Sequence, residues 1–252
     1  GYWHGQQNNK QLEQIGFNAP DAAALQRMDL ASFTVDWDAL RAINPDVVGW
    51  IYVPGTTVNF PIVHGTNDEH YLKTDFYGQT SWVSFGSIFL SAANAADFSD
   101  ANNIVSGHHM NDGSMFSPFA DFGDADTFNG HRIVYVFTPT ANYQLTTFSI
   151  VHCAADDPLA QTAFASEQER QAYVQDKVDR SVVTVAGLPS AADMKHTFAF
   201  STCDNLASNG RWVLFAYESG STAAASSVVA DDSNINPEDV AAVSEAAKET
   251  AA

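Results

Sequence analysis

The sequence predicts a mainly β protein, built as one closed or nearly closed barrel of eight strands. Eight short runs of β-branched and aromatic residues recur along the chain, separated by turn residues such as Pro54-Gly55. One clear helix, at residues 166–181, is embedded among these runs. Hydrophobic residues make up 45% of the 252-residue chain, enough for one substantial core. Many short strands with a single embedded helix are typical of a barrel.

The N-terminal part is predicted to be an arm that precedes the barrel and contains short helical segments. Residues 1–20 are rich in Gln and Asn and weakly patterned, whereas residues 21–30 begin with Asp21, a favourable N-cap. A clearer helix is predicted at 36–43, and Asn44-Pro45 ends it. The barrel is therefore expected to begin near residue 36.

The predicted strands are short apolar runs bounded by turn chemistry. They lie at residues 48–53, 58–63, 86–90, 103–107, 132–138, 143–153, 197–203 and 211–217. In the sixth run, the alternation of a strand predicts that Phe148, Ile150 and His152 share one face. Short helical segments are expected between strands at residues 67–73 and 114–119.

The helix at residues 166–181 is predicted to cross over between the sixth and seventh strands. Ser166 and Glu169 have the spacing of a capping box. Val174 and Val178 stack four residues apart on one face. The crossover therefore has an apolar stripe that can pack on the barrel.

Three regions are expected along the chain. Residues 1–35 form the N-terminal arm with its short helix, and residues 36–217 form the barrel domain. Residues 218–252 contain no aromatic residue and are rich in Ala, Ser and Asp, which predicts a flexible acidic tail.

The charge balance argues against a nucleic-acid partner. Asp and Glu total 30 against 11 Lys and Arg, for a formal net charge of -19. Binding to a phosphate backbone needs clustered basic residues, which an acidic chain does not offer. An amine-bearing partner remains compatible with this charge.

The cysteines and the hydropathy of the chain limit which metal sites, disulfides and membrane-spanning segments are expected. Cys153 and Cys203 are the two cysteines, and they form no C-x-x-C pair, so we expect no zinc or iron–sulfur site. We expect no other metal and no cofactor; calcium binding by the acidic stretch at 94–111 is a weak alternative, because its carboxylates lack EF-hand spacing. A disulfide between them is an open alternative. No apolar run is long enough to span a bilayer. The chain starts with Gly1 instead of Met, which favours a leading segment that has been trimmed.

The chemistry is expected in the last two strands. Cys203 ends the seventh strand and Arg211 begins the eighth, so adjacent strands would bring a thiol and a guanidinium to one end of the sheet. A nearby cation favours the reactive thiolate, and Arg can also stabilise an oxyanion. The alternative is a buried cysteine and an arginine that only extends from the barrel edge.

A cysteine nucleophile also needs a base, and two histidines are candidates. His108 and His109 follow the fourth strand at Gly107, where a side chain can meet a thiol from another strand end. General acid–base catalysis needs a group within hydrogen-bonding reach whose pKa is near neutral. The alternative is a pair of histidines in a surface loop.

Several segments resemble the class B sortases. They are Asn-Pro-Asp-Val-Val-Gly-Trp-Ile at 44–51, Phe-Pro-Ile-Val-His at 60–64, Asp-Glu-His-Tyr-Leu at 68–72, Gly-Ser-Ile-Phe-Leu at 86–90, Gly-His-His-Met at 107–110, Asp-Gly-Ser-Met-Phe at 112–116, and Ser-Thr-Cys at 201–203 followed by Arg211. The matches run in order through most of residues 36–217.

The resemblance implies a sortase-like barrel and a cysteine transpeptidase. It implies Cys203 as the nucleophile, His108 as the acid and base, and Arg211 as the group that holds the substrate carbonyl or oxyanion. His108 is favoured over His109 because the family's Gly-His pair falls on Gly107-His108. The implied substrate-binding residues are Phe200, Ser201 and Thr202. The chain departs from the family at Ala199-Phe200, where a Thr-Leu pair is common. This difference alters the shape next to the cysteine, so the resemblance implies the chemistry more strongly than it implies which sorting signal is recognised.

The resemblance further implies partners and a location. Such an enzyme cleaves the C-terminal sorting signal of a secreted surface or pilin protein through a thioacyl intermediate. It then transfers the acyl group to an amine on a cell-wall precursor or a pilin lysine. The expected location is the outer face of the membrane of a Gram-positive bacterium, with an anchor that is not in this chain. The alternatives are a non-catalytic sortase-like module that binds secreted peptides or pilins, and a cysteine protease that hydrolyses without transfer.

Overall fold

Eight strands close into a barrel in the computed structural model, which describes residues 2–80, 85–110, 112–155, 157, 161–203 and 210–223. The strands are β1 (Val47–Tyr52), β2 (Asn59–His64), β3 (Ile88–Leu90), β4 (Asn102–His108), β5 (Ile133–Phe137), β6 (Asn142–Cys153), β7 (Thr197–Cys203) and β8 (Arg211–Ser221). Their order around the barrel is β1-β2-β3-β4-β7-β8-β6-β5. The pairs β2–β3 and β4–β7 are parallel, and the other pairs are antiparallel. The predicted fold class is confirmed.

Six α-helices and two 3₁₀ segments surround the barrel in the described part of the chain. They are α1 (Tyr2–Ile15), α2 (Ala22–Leu25), α3 (Trp37–Ile43), α4 (Asp68–Lys73), α5 (Ala125–Gly130) and α6 (Glu167–Arg180), with 3₁₀ turns at Leu30–Ser32 and Ser117–Gly123. The side chains of Asp21 and Ser166 cap α2 and α6 as predicted, each accepting a hydrogen bond from a backbone N–H in the first turn.

The helical predictions differ from the structure in two places. Residues 1–20 were expected to be a weakly patterned arm, but α1 forms there, and its Leu12 is buried in a cluster with Phe17 and Trp50. Tertiary packing stabilises this helix in spite of its weak sequence pattern. The segment predicted at 114–119 is the 3₁₀ turn at Ser117–Gly123, and α5 directly after it was not predicted.

Strand alternation separates an inner core from an outer layer. Phe198 and Phe200 of β7 point into the barrel with Val105 and Leu214. The odd-numbered residues of β7 point outward instead. There Ala199 packs with Ile104, Val213 and Phe215 beneath Val174 of α6. Helix α6 is also tied to β6 through the Ser149 hydroxyl, which donates to the Lys177 carbonyl at 2.6 Å.

A bulge in β6 changes the predicted face of one residue. The pairing of β6 with β8 shifts register between Thr147 and Ser149. As a result Phe148 lies in the outer cluster, whereas Ile150 lies in the barrel core. The prediction that these two side chains share a face was therefore wrong, because one inserted residue reverses the alternation.

The C-terminal strand extends beyond the predicted end of the barrel. β8 continues to Ser221, four residues past residue 217, and Ser221 pairs with Tyr143. The predicted tail from residue 224 onward lies outside the described residues. Within the described ranges, none of the helices combines the length and the apolar character that a membrane crossing requires.

Candidate active site

The three predicted catalytic residues lie side by side on the outer face of the barrel. His108 and Cys203 are direct partners in the parallel pair β4–β7. In the antiparallel pair β7–β8, Ser201 is opposite Val213, and continuing this register places Cys203 level with Arg211. Neighbouring strands are about 4.8 Å apart, so a row of imidazole, thiol and guanidinium forms at this rim.

The β7–β8 ladder ends at Ser201 and Val213, two residues before Cys203. The hydroxyl of Thr202 accepts a hydrogen bond from the Trp212 backbone N–H at 2.9 Å and donates to the Trp212 carbonyl at 3.3 Å. A side chain thus replaces the backbone pairing between the two strands. We infer that this lets the strands diverge where Cys203 and Arg211 meet.

The imidazole of His108 is held in one orientation by the backbone. Its Nε2 lies 2.5 Å from the carbonyl oxygen of Leu72, in α4. A carbonyl can only accept, so Nε2 carries a hydrogen and Nδ1 is the nitrogen that can exchange a proton. The residue is 6% exposed.

Gly86 makes this arrangement possible. Its φ is +62°, and a Cβ at this position would lie 2.6 Å from the Leu72 carbonyl oxygen and 3.0 Å from Cδ2 of His108. The next residue, Ser87, donates its backbone N–H to the Tyr71 carbonyl at 2.9 Å. The chain before β3 therefore packs closely against both the end of α4 and the imidazole.

His109 occupies a different position from His108. It lies one residue past β4, and its backbone N–H donates to the Cys203 carbonyl at 2.9 Å. It also forms an isolated bridge with Met115. Alternation directs its side chain away from the face that His108 and Cys203 share.

Burial and charge act in opposite directions on the Cys203 thiol. Burial raises the pKa of Cys203 above its ordinary value, and the carboxylate of Asp68 raises it further. The Arg211 charge and a hydrogen bond with Ser106 lower the same pKa, but the net shift is upward. The resting residue is therefore a thiol, and it becomes a thiolate only when its proton is removed.

Arg211 lies between the two cysteines of the chain. Its partner on β6 is Cys153, whose sulfur is hydrogen-bonded to the guanidinium. Nη2 of Arg211 donates to the backbone carbonyl of Asp157. Its Nε is buried and has no hydrogen-bond partner among the described residues. One side of the guanidinium is thus fixed, while Nε–H remains an unused donor.

The two cysteines do not form a disulfide. Both thiols are free. Strand β8 separates β6 from β7, so Cys153 and Cys203 are two strand spacings apart, roughly 10 Å. A disulfide requires Cα atoms closer than about 7 Å.

The predicted substrate-binding residues fall on both faces of β7. Phe200 is fully buried in the barrel against Phe116 and Phe119, and Thr202 is 1% exposed and bonded to Trp212. Inward-facing side chains offer no surface to a peptide, which removes Phe200 and Thr202 from this role. Ser201 faces outward, and its buried hydroxyl has no partner among the described residues.

Sequence reasoning missed four contributors to this site. The Leu72 carbonyl and the Asp157 carbonyl act through the backbone, so their residue types gave no signal. Ser106 lies two residues before His108 on the same face, and strand alternation could have found it. Gly86 lies within a segment that was noted as a predicted strand and for its resemblance, without a role for the glycine itself. No cluster of three or more His, Cys, Asp and Glu side chains suited to a metal ion occurs in the described ranges.

Comparison with known proteins relates this chain to sortase B. No protein-family model matches it. Sortase B of Staphylococcus aureus (strain NCTC 8325 / PS 47) is 30% identical over 169 residues, which is 67% of this chain and 68% of that protein. The structure of the Staphylococcus aureus sortase B–substrate complex superposes with a TM-score of 0.73 at 26% identity, covering 86% of this chain and 97% of the other. A crystal structure of sortase B complexed with triglycine gives a TM-score of 0.73 at 25% identity, covering 86% and 98%.

The likeness therefore extends through nearly the whole of each compared structure and includes the eight-stranded barrel. Identity at this level over two thirds of both sequences shows that the chain belongs to the class B sortases, which are cysteine transpeptidases.

Proposed function

We propose that this enzyme cleaves the C-terminal sorting signal of a secreted surface or pilin protein and transfers the new acyl end to an amine. The reaction passes through a thioester on Cys203. The observation that carries this proposal is the row of His108, Cys203 and Arg211 on one rim of the barrel. The three side chains supply a base, a nucleophile and a fixed positive charge in adjacent positions.

The first half of the reaction begins with the Cys203 thiol. His108 accepts the thiol proton at Nδ1 as the sulfur attacks the backbone carbonyl carbon of the signal. Arg211 stabilises the negative charge that develops on the carbonyl oxygen, for which its Nε–H is the unused donor. The C–N bond then breaks, and His108 gives its proton to the departing amine.

The second half repeats these steps with the acceptor. An incoming amine attacks the thioester carbon, and His108 removes a proton from the attacking nitrogen. The C–S bond breaks, and His108 returns its proton to the departing sulfur, which restores the resting thiol of Cys203. Ser201 faces the same surface as Cys203, and we assign its unpaired hydroxyl to a hydrogen bond with the bound peptide.

The related structures support both halves of this scheme. One is a complex of sortase B with substrate, and another is a complex with triglycine. Triglycine begins with a primary amine and so resembles an amine acceptor. The acidic composition of this chain is compatible with a cationic acceptor, on a cell-wall precursor or a pilin lysine.

We further propose that the enzyme acts at the outer face of the cell membrane of a Gram-positive bacterium. This location follows from a substrate that is itself secreted. Fractionation of the native cells, followed by immunodetection, tests the location. Recovery in the cytoplasm would contradict it.

The reaction is tested with a fluorogenic sorting-signal peptide and triglycine as acceptor. Wild type is expected to release the C-terminal fragment and to form ligated product when triglycine is present. Cys203→Ala is expected to lose all turnover with an unchanged far-UV circular dichroism spectrum, because the sulfur is the bond-forming atom. Cys153→Ala is expected to keep measurable turnover, at a kcat below that of wild type because its sulfur contacts the Arg211 guanidinium.

Two outcomes would contradict the proposal. Turnover by Cys203→Ala would place the nucleophile elsewhere. Cleavage without any ligated product at saturating triglycine would identify a hydrolase instead of a transferase. Comparing His108→Ala with His109→Ala separates the two histidines, and only the first substitution is expected to abolish turnover.

A further inference from the structure

We propose that Arg180 and Asp157 are positioning residues that hold Arg211 in the active site, so that the end of α6 sets the geometry of the oxyanion-binding group. The proposal rests on the transfer reaction proposed above for its kinetic consequences. Its structural basis is a chain of contacts that runs from α6 through one loop residue to Arg211.

The first contact fixes the guanidinium of Arg211. Nη2 donates to the main-chain carbonyl of Asp157, and the Cys153 sulfur bonds to the same guanidinium from the neighbouring strand. Neither partner carries a negative charge at neutral pH. Arg211 is therefore held in place by groups that do not offset its positive charge.

The second contact fixes Asp157 itself. Its carboxylate Oδ2 accepts a hydrogen bond from Nη2 of Arg180 at 2.8 Å. The two side chains are only 33% and 23% exposed, so this ion pair is partly protected from water. The Asp157 backbone N–H also donates to the Ala154 carbonyl at 3.0 Å. Side chain and backbone together orient the carbonyl that Arg211 contacts.

The third step is the anchoring of α6. Arg180 is the last residue of the helix. The Ser181 hydroxyl accepts from the Ile150 N–H at 3.1 Å, and the Ile150 carbonyl accepts from the Val182 N–H at 2.8 Å. These bonds tie the chain directly after Arg180 to β6. The ion pair thus connects Asp157 to a part of the molecule that is fixed to the barrel.

Asp157 is otherwise a loop residue after β6, and loops are the most adjustable parts of a fold. A displacement of about 1 Å in a catalytic group is enough to lower a rate by up to about 100-fold. An ion pair that limits the position of this loop residue therefore acts on the reaction, although neither Arg180 nor Asp157 touches the reacting sulfur.

The test compares Asp157→Ala with Asp176→Ala. Both substitutions remove a carboxylate that faces Arg180, since Asp176 lies 3.6 Å from Nη1 of the same residue. Asp157→Ala keeps the backbone carbonyl that Arg211 contacts and removes only its anchor. We expect Asp157→Ala to lower kcat about tenfold with KM changed less than about twofold, because the loss falls on the transition state. Asp176→Ala is expected to match wild type.

A second readout separates positioning from a direct charge effect. The rate of Cys203 alkylation by iodoacetamide is followed against pH, with the modified peptide identified by mass spectrometry. Removing a carboxylate would by itself move the alkylation midpoint to lower pH. Loss of a well-placed Arg211 moves it to higher pH, because the cation favours the thiolate. Our proposal requires a shift to higher pH in Asp157→Ala.

Arg180 and Arg211 variants complete the experiment. Arg180→Ala should reproduce the effects of Asp157→Ala, and Arg180→Lys should restore at least part of kcat. In an Arg211→Ala background, Asp157→Ala should no longer shift the alkylation midpoint to higher pH, and any shift that remains should be the small downward one caused by the lost carboxylate. An equal upward shift in both backgrounds would show that Asp157 acts independently of Arg211 and would overturn the proposal.

The two proposals fail in different ways. If wild type cleaves and ligates peptide but Asp157→Ala matches it in kcat and in the Cys203 profile, only the positioning role is wrong. If wild type turns over no peptide, the proposed function is wrong. The alkylation profiles still decide whether Asp157 holds Arg211 in that case.

Discussion

The protonation of Cys203 depends on burial and on several neighbouring residues. Its pKa is raised because burial disfavours the charged sulfur more strongly than Arg211 and Ser106 favour it. A resting thiol is poorly nucleophilic, so the proposed reaction requires a neighbour that removes its proton. His108 is suited to this role, since its Nε2 is occupied by the Leu72 carbonyl and its Nδ1 is the proton-exchanging nitrogen.

At the scale of single residues, the close packing around Gly86 predicts a loss of activity when a Cβ is added there. We expect Gly86→Ala to lower kcat for peptide cleavage about 100-fold, because its Cβ would displace the Leu72 carbonyl or the His108 ring. Steady-state kinetics with the fluorogenic peptide measures this change.

Gly78→Ala is the matched control for this prediction. Gly78 also has a positive φ, +83°, but nothing lies within 4 Å of its Cβ position. Both variants should therefore lose about 1 kcal/mol of unfolding free energy from backbone strain, and Gly86→Ala should lose more because its Cβ also meets backbone carbonyl oxygens. Only the Gly86 variant should lose activity, and equal activity in the two would show that the close contact does not orient His108.

At the scale of elements, α6 connects the outer layer of the barrel to the site. Its C-terminal end reaches Asp157, and its N-terminal half holds the segment that leads into β7. Arg170 is 2% exposed and donates to the carbonyls of Met194, Ala191 and Ala192, and it also forms a bidentate pair with Glu167. The buried guanidinium of Arg170 therefore fixes the position of the segment that precedes β7.

This arrangement predicts a large effect of Arg170→Met on stability. Removing the guanidinium leaves three backbone carbonyls without this donor and leaves Gln171 as the remaining hydrogen-bond donor to Glu167, and we expect a loss of about 3 kcal/mol in the free energy of unfolding. Urea denaturation followed by circular dichroism measures the loss.

Arg41→Met provides the comparison, since Arg41 pairs with Asp38 at the same i,i+3 spacing. Its side chain is 46% exposed and that of Asp38 fully exposed. Exposed pairs contribute at most about 1 kcal/mol, so this variant should be close to wild type. Similar losses in the two variants would show that burial of Arg170 is not what matters.

At the scale of the whole molecule, a half-buried histidine connects two strands and a loop at the end of the barrel opposite the site. His196 directly precedes β7, so it lies roughly 20 Å from Cys203 along the strand. Its Nδ1 lies 2.7 Å from a carboxylate oxygen of Glu218, on β8, and its Nε2 lies 2.6 Å from the Phe98 carbonyl. Both partners are acceptors, so the ring needs a hydrogen on each nitrogen.

The protonated ring predicts a pH dependence of stability. Burial alone lowers the pKa of His196, but the hydrogen bond and charge of Glu218, the Phe98 carbonyl and the charge of Asp100 outweigh it, and the net pKa is raised. The stabilisation is complete below the unfolded histidine pKa of about 6.5 and is lost as the pH rises through the higher folded pKa.

The measurement is the free energy of unfolding of wild type and His196→Asn between about pH 6 and pH 9, a range set by that unfolded pKa of about 6.5. Asn tolerates the positive φ of 53° at this position. We expect the stability advantage of wild type to be largest at the acidic end and to shrink as the pH rises. A difference that stays constant with pH would mean that folding leaves the pKa of the ring unchanged, and an advantage that grows with pH would mean that the folded ring is held neutral. His70→Asn, an exposed histidine, controls for the general effect of losing an imidazole.

Local patterns made much of the fold predictable. All eight strands were located from short β-branched and aromatic runs, and the end of α3 followed from Asn44-Pro45. The bulge at Thr147–Ser149 was not predictable, because an inserted residue is recognised only from its pairing with β8. Helix α1 was missed for a similar reason, since its burial against Trp50 is a long-range contact.

The sequence by itself determined the chemical groups of the site: a cysteine at one strand exit, an arginine at the next strand entry and a histidine after a glycine. Their residue types and strand positions are local properties of the chain. Only the tertiary structure decided that β4 pairs with β7 in parallel, which puts His108 beside Cys203. It also decided that the Leu72 carbonyl orients the histidine and that the Asp157 carbonyl orients Arg211. Backbone groups are the same in every residue, so their roles arise from how the chain is packed.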